Sequence, residues 1–179
     1  MTSGTVSEID VLIAVARWLW IERRVLPFHF SIARGQGIDV EQSRRSLEAA
    51  MNSLEIPEEL NKYRSYSGTG PDLKGLSKDE YWKIECKGLG AGKNPTHRNH
   101  FDRALASTVS YYEDRVNEWP DHKPIIGLAL PEAPVFKSLL KSKVRRPLRS
   151  RLNLWVLLFN LDDSSITPIE PAADYDAAE

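Results

Sequence analysis

Apolar residues are dense from Ser7 to Val25 and fall on more than one face of a helix, not on a single stripe. Such a helix is expected to be mostly covered by the rest of the protein. Pro27 ends the pattern. Phe28, Phe30 and Ile32 then alternate with His29 and Ser31 as in a short strand, closed by the turn-forming run Arg34-Gly35-Gln36-Gly37. Asp39 can cap a second helix that ends before Pro57 and lines up Val40, Leu47, Met51 and Leu54.

Lys62–Ser67 is a weak strand candidate, followed by the turn chemistry of Ser67-Gly68-Thr69-Gly70-Pro71. Leu73–Leu76 and Tyr81–Lys87 read as two short strands joined by a polar turn, Ser77–Glu80, which makes a hairpin. After the loop Gly88–Asn94, Thr96 opens a helix with Phe101, Leu105, Thr108, Tyr112, Val116 and Trp119 at helical spacing. IIGLALP reads as a buried strand, Val135–Val144 as a helix interrupted afterwards by Pro147, and LNLWVLLFNL as the strongest buried strand of the chain. Ile166 and Ile169 suit one more strand, and Pro171 onward is expected to be a loose acidic tail.

This alternation predicts one α/β domain over 1–179, with an N-terminal extension (1–38), a core (39–161) and an acidic tail (162–179). A length of 179 residues is enough to bury a core without metal or disulfide staples. A single cysteine excludes an intramolecular disulfide and a multi-cysteine zinc site, and points to a reducing, cytoplasmic setting. The apolar run Val11–Ile21 contains Arg17 and is about half a membrane span; Glu8 and Asp10 stand where a signal peptide would be basic, so no membrane role is expected.

Net charge is minus one, unevenly distributed. Lys137–Arg151 holds seven basic residues and no acid, while 162–179 holds six acids and no base, which leaves 1–161 at plus five. A local polyanion-binding surface is therefore compatible with the near-neutral total.

The stretch GPDLKGLSKDEYWKIECKG carries the candidate chemistry. On a strand, Trp82, Ile84 and Cys86 share one face and Lys83, Glu85 and Lys87 the other. An amphipathic strand with one wet face explains that much. The order of the surrounding elements adds to it: a turn, a short strand opening with Asp72, a hairpin, a strand with Glu85-Cys86-Lys87, a Gly-rich loop, an amphipathic helix and a buried strand. In this order, with Pro71-Asp72 and Glu85-x-Lys87, the chain resembles the PD-(D/E)XK nuclease superfamily, whose fold is a restriction-endonuclease-like mixed sheet flanked by helices.

The resemblance covers roughly 39–161 and implies a metal-dependent nuclease acting most readily on DNA. By that likeness Asp72 and Glu85 hold Mg²⁺ (or Mn²⁺), the main-chain carbonyl of Cys86 adds a ligand, and Lys87 faces the attacked phosphate. The family often has an acid on the helix before the motif; Glu41 and Glu48 both qualify, and Glu48 completes the candidate set. Two carboxylates suit a hard divalent cation, and a fixed ammonium suits oxygens that gain charge in the transition state.

Arg98 and Arg103, near His97 and His100 at the start of the expected 96–119 helix, are candidate nucleic-acid contacts, because cations at a helix N-terminus need some other partner; a solvated surface is the alternative. Lys143, Arg145, Arg146 and Arg149 join them as phosphate contacts. KGLGAGKNP fails the Walker A pattern, since Gly92-Lys93 is followed by Asn94 and lacks the earlier glycine. His29 and His122 are expected to be structural or exposed, and the five tryptophans core. By analogy the first helix is a candidate homodimer surface. Two competing readings remain: a non-catalytic nucleic-acid-binding or assembly module that keeps the fold, and a restriction-like subunit that takes its specificity from a partner protein.

Overall fold

A computed structural model describes residues 5–32 and 38–174. The expected turn at Arg34–Gly37 and the end of the acidic tail lie outside the described residues. In chain order the elements are α1 (Glu8–Arg23), β1 (Leu26–Ser31), α2 (Val40–Asn52), α3 (Glu58–Asn61), β2 (Ser65–Ser67), β3 (Leu73–Leu76), β4 (Glu80–Cys86), α4 (Asn94–Ser110), β5 (Lys123–Pro131), α5 (Pro134–Lys143), α6 (Arg146–Leu152), β6 (Leu154–Phe159) and β7 (Ile166–Ile169).

The seven strands form one mixed sheet in the order β2-β1-β3-β4-β5-β6-β7. β3 and β4 are an antiparallel hairpin, as expected, and β1 lies antiparallel to β3. β4, β5 and β6 are parallel. Parallel neighbours need crossovers, which α4 supplies between β4 and β5, and α5 with α6 between β5 and β6. β7 closes one edge antiparallel to β6, and β2 closes the other parallel to β1.

Each face of the sheet carries its own core. On one, Leu73, Trp82, Ile84, Ile125, Ala129, Trp155 and Leu157 pack beneath α1 and α2. On the other, Ile126, Leu128, Leu130, Leu154, Val156 and Leu158 pack beneath α4 and α5. The broad apolar surface of α1 follows from this position: it lies on the sheet and against α2, with Trp18 edge-on to Trp82 at 6.0 Å. Residues 8–31 thus contribute to the hydrophobic core.

Four local expectations are corrected. α1 stops at Arg24, which takes a left-handed conformation (φ 56°), and Pro27 sits inside β1 at a register irregularity between Pro27 and His29, a place that tolerates a missing N–H. α4 ends at Ser110, so Val116 and Trp119 belong to the following loop; Trp119 packs on Tyr81 at 5.2 Å. Pro147 opens α6, because proline at the first helical positions loses no hydrogen bond. The start of the acidic tail is tied down: Arg149 donates to the carbonyls of Glu170 and Ala173, and Ser150 to that of Pro171. No described helix is long and apolar enough to cross a membrane.

The segment before α1 is pinned across the exit of β4. Val6 and Leu89 exchange two backbone hydrogen bonds of 2.8 Å each. Gly88 fits beneath it only without a side chain, since a Cβ there would meet the Val6 carbonyl and stand 2.8 Å from the Glu8 nitrogen. Gly88→Ala is expected to cost about 2 kcal/mol through overpacking, lowering the melting temperature by roughly 4–8 °C in a thermal circular-dichroism scan. An unchanged melt would mean that residues 6–8 are not docked there.

Candidate active site

The pairing of Leu73 with Ile84 sets the next residues, Asp72 and Glu85, opposite one another on the same face of adjacent strands. Both are nearly dry, at 8% and 7% exposure. The backbone N–H of Cys86 donates to Asp72 Oδ2 at 2.7 Å, which fixes that carboxylate. The Cys86 side chain lies in the α1 core, where burial pushes its thiol well up.

Lys87 continues the face. Its Nζ stands 3.0 Å from Glu8 Oε2 and 3.3 Å from Glu85 Oε1. Tyr111, just past the end of α4, donates its hydroxyl to Glu85 Oε2 at 3.0 Å. The structure therefore brings Asp72, Glu85 and Lys87 together and adds two groups that sequence reasoning did not select, Glu8 and Tyr111. Glu8 reads in the sequence as a first-turn acid of a helix capped by Ser7 and Asp10, and only the Val6–Leu89 bridge carries it to Lys87. Tyr111 falls inside the expected 96–119 helix, which ends at Ser110 in the structure.

The α2 carboxylates are elsewhere. Glu48 pairs with Arg44 one turn away at 3.0 Å, on a half-exposed surface, and the acid acting on Asp72 and Lys87 from a helix is Glu8. Glu41 is exposed in the first turn of α2. Glu48 is thus replaced by Glu8 as the helix acid of this cluster.

Electrostatics follow from crowding. Burial, then the facing Glu85 and more weakly Glu8, push the Asp72 carboxyl up to about 8 against the opposing pull of Lys87 and the Cys86 N–H. Burial also raises Glu85, offset by Lys87 and the Tyr111 hydroxyl. Burial alone would lower the Lys87 ammonium; Glu8, Asp72 and Glu85 together hold it above its ordinary value. Tyr111 is raised by burial and by the Glu85 charge. Among the described residues no three His, Cys, Asp or Glu side chains form a ready-made ion cage; the Lys87 ammonium reaches both Glu8 and Glu85.

A cleft of about 420 Å³ opens beside the cluster, between the starts of α1 and α2, with Asp72, Glu8, Ser31 and Gln42 among its lining. The basic candidates distribute differently. Arg98 and Arg103 are exposed on α4, and Arg98 borders a second recess with Ser138. His97 from the same run is buried against Phe136. Arg145 is exposed; Lys143 pairs with Asp102, and Arg146 with Asp174. Arg149 is only 2% exposed and its guanidinium is spent on two carbonyls, so it is a structural anchor and not a phosphate contact. Comparison of the chain with family models, curated proteins and solved structures returns no match.

Because the Asp72 carboxyl lies above its unfolded value of 3.8, at about 8, its stabilising contribution is full below pH 4 and is lost as pH rises towards 8. With chelator present, Asp72→Asn should melt higher than wild type at pH 8, with the gap closing by pH 4. Relief of about 2 kcal/mol would raise the melting temperature by roughly 4–8 °C. Equal pH profiles would show that the carboxylate is not strained.

Proposed function

We propose that this protein is a metal-dependent nuclease with a restriction-endonuclease-like fold, similar to the PD-(D/E)XK superfamily, acting on DNA. The observation that carries the reading is the facing pair Asp72 and Glu85 on adjacent strands, with the Lys87 ammonium beside Glu85. A mixed sheet with helices on both faces is compatible with it.

The residues fit a hard divalent cation. Glu8 and Glu85 pair with the Lys87 ammonium and Asp72 faces Glu85, so the cluster holds more acids than cations, and all the oxygens are of the type Mg²⁺ and Mn²⁺ prefer. Asp72 and Glu85 would hold the ion, with Glu8 or the Cys86 carbonyl as a further donor. When bound, such an ion polarises a phosphate oxygen and lowers the pKa of a coordinated water.

The chain's own residues do the rest. The Cys86 N–H and the Tyr111 hydroxyl keep the two carboxylates from turning away, as orienting partners do around ligands. Lys87, held charged by its three acids, supplies a fixed cation for phosphate oxygens that gain charge in the transition state. Glu8 steadies the ammonium from the α1 side. The cleft beside Asp72 gives access to the cluster.

Purified protein incubated with duplex DNA, single-stranded DNA and RNA is expected to cleave at least one of them with Mg²⁺ or Mn²⁺ and none with chelator. Asp72→Ala and Lys87→Ala should lose about 10²-fold or more while remaining folded. Glu8→Gln should lose about 10-fold or more, whereas Glu48→Gln should stay within about twofold. Absence of cleavage of every substrate with either metal, with binding retained, would instead support the non-catalytic binding module.

A further inference from the structure

On the α4 side, the sheet divides into two unlike halves. Counted across the paired strands, one row reads Ser65, His29, Lys74, Lys83, Ile126 and Leu154. The next reads Ser67, Ser31, Asp72, Glu85, Leu128 and Val156, the Ser31 N–H donating to the Asp72 carbonyl at 2.9 Å. From β5 onward the rows are apolar and lie beneath α4 and α5. From β2 to β3 they are polar, and the substantial helix packing on β1 and β3 is that of α1, on the opposite face.

The polar half is organised. His29 Nδ1 is 2.7 Å from Ser65 Oγ and its Nε2 is 3.1 Å from Ser67 Oγ. Ser67 Oγ is 2.8 Å from Ser31 Oγ, and Ser31 also lines the cleft that holds Asp72. Hydroxyls and imidazole thus make a connected strip from the candidate site to the β2 edge, about 10 Å across two strand spacings. That is the length of about three stacked nucleotides at 3.4 Å each. Burial and the neighbouring Lys74 keep His29 below its ordinary value, so its ring is neutral at pH 7. Lys74 is half-buried and has no carboxylate partner among the described residues, whereas Lys83 is neutralised by Glu113 at 2.7 Å.

We propose that this strip is a track for a single nucleic-acid strand leaving the acid cluster, with Ser67, His29 and Ser65 contacting sugar and base and Lys74 contacting one phosphate. The inference rests on the nuclease reading and names its substrate class. A duplex is gripped mainly through many phosphates by many cations, and among the described residues this half of the sheet offers one free lysine in a field of neutral donors and acceptors. Those groups match the Watson–Crick base edges that only an unpaired strand exposes. The half-buried rings of Phe28 and Trp119, 6.1 Å apart, flank the lysine row beyond Tyr81 and add apolar surface for a base.

The test compares a labelled 12-nucleotide single strand with the same sequence as a blunt duplex, using wild type, His29→Ala and Lys74→Ala with Mn²⁺. Single strand is expected to be cleaved with at least about fivefold higher kcat/KM than duplex. Each substitution should raise KM for single strand about 5–10-fold with kcat within about twofold, and Lys74→Ala should lower the salt dependence of binding by about one phosphate. Binding of the single strand to Asp72→Asn, read by fluorescence anisotropy, should weaken in parallel when His29→Ala or Lys74→Ala is added. Cleavage by wild type with duplex preferred, or with both variants unchanged, overturns the track and leaves the nuclease reading standing. No cleavage and no binding of either substrate overturns both.

Discussion

Two carboxylates placed opposite one another on adjacent strands, almost dry, set the terms for everything around them. Asp72 and Glu85 cannot both remain charged at little cost without compensation. The protein compensates with the Lys87 ammonium beside Glu85, the Cys86 N–H on Asp72 and the Tyr111 hydroxyl on Glu85. Glu8 then places a second acid on the same ammonium, so three acids surround one cation in the cluster. A core built for stability alone would place apolar residues in these positions, as it does at Leu128 and Val156 further along the same row.

The sheet is arranged to make that cluster possible. Its parallel centre is sealed on both faces, while the strands from β2 to β3 keep one face polar. The acids sit where these regimes meet, so they are held by a rigid sheet and still adjoin an open cleft. Rigidity here comes from pairings on both sides of β4, and from the N-terminal segment locked to Leu89 over a glycine that admits no side chain. The site is therefore preorganised by elements far apart in sequence, the condition under which fixed charges act on a developing one at little reorganisation cost.

Charge runs tell a different story once folded. The basic stretch 137–151 reads as one patch, yet Lys143 and Arg146 find acids, and Arg149 turns inward to hold residues 170–173. Its apparent counterpart, the acidic tail, provides Asp174 for one of those pairs. Local excess of one sign in sequence thus dissolved into packing and pairing, while Lys74, without a carboxylate partner among the described residues, gained weight from its neighbours.

The hairpin 73–87, the buried strands at 125–131 and 154–159, and the α2 and α5 helices were legible because period-two and period-3.6 patterns report on which face is buried. The meeting of Asp72 with Glu85 was expected only by resemblance; the register that sets them opposite one another came with the folded hairpin. Helix ends at Ser110 and Arg146 were not legible, because tertiary partners such as Glu85 for Tyr111 outweigh local spacing. Nor was the role of Glu8: seventy-nine positions separate it from Lys87, and no local pattern encodes a contact made by a β-bridge at Val6. Local periodicity along the chain was enough to give the alternation of elements and the chemistry available on each strand face. Which acid joins the pair, which cations are already neutralised and which half of the sheet stays uncovered emerge with folding, because they depend on contacts between segments that local periodicity cannot see.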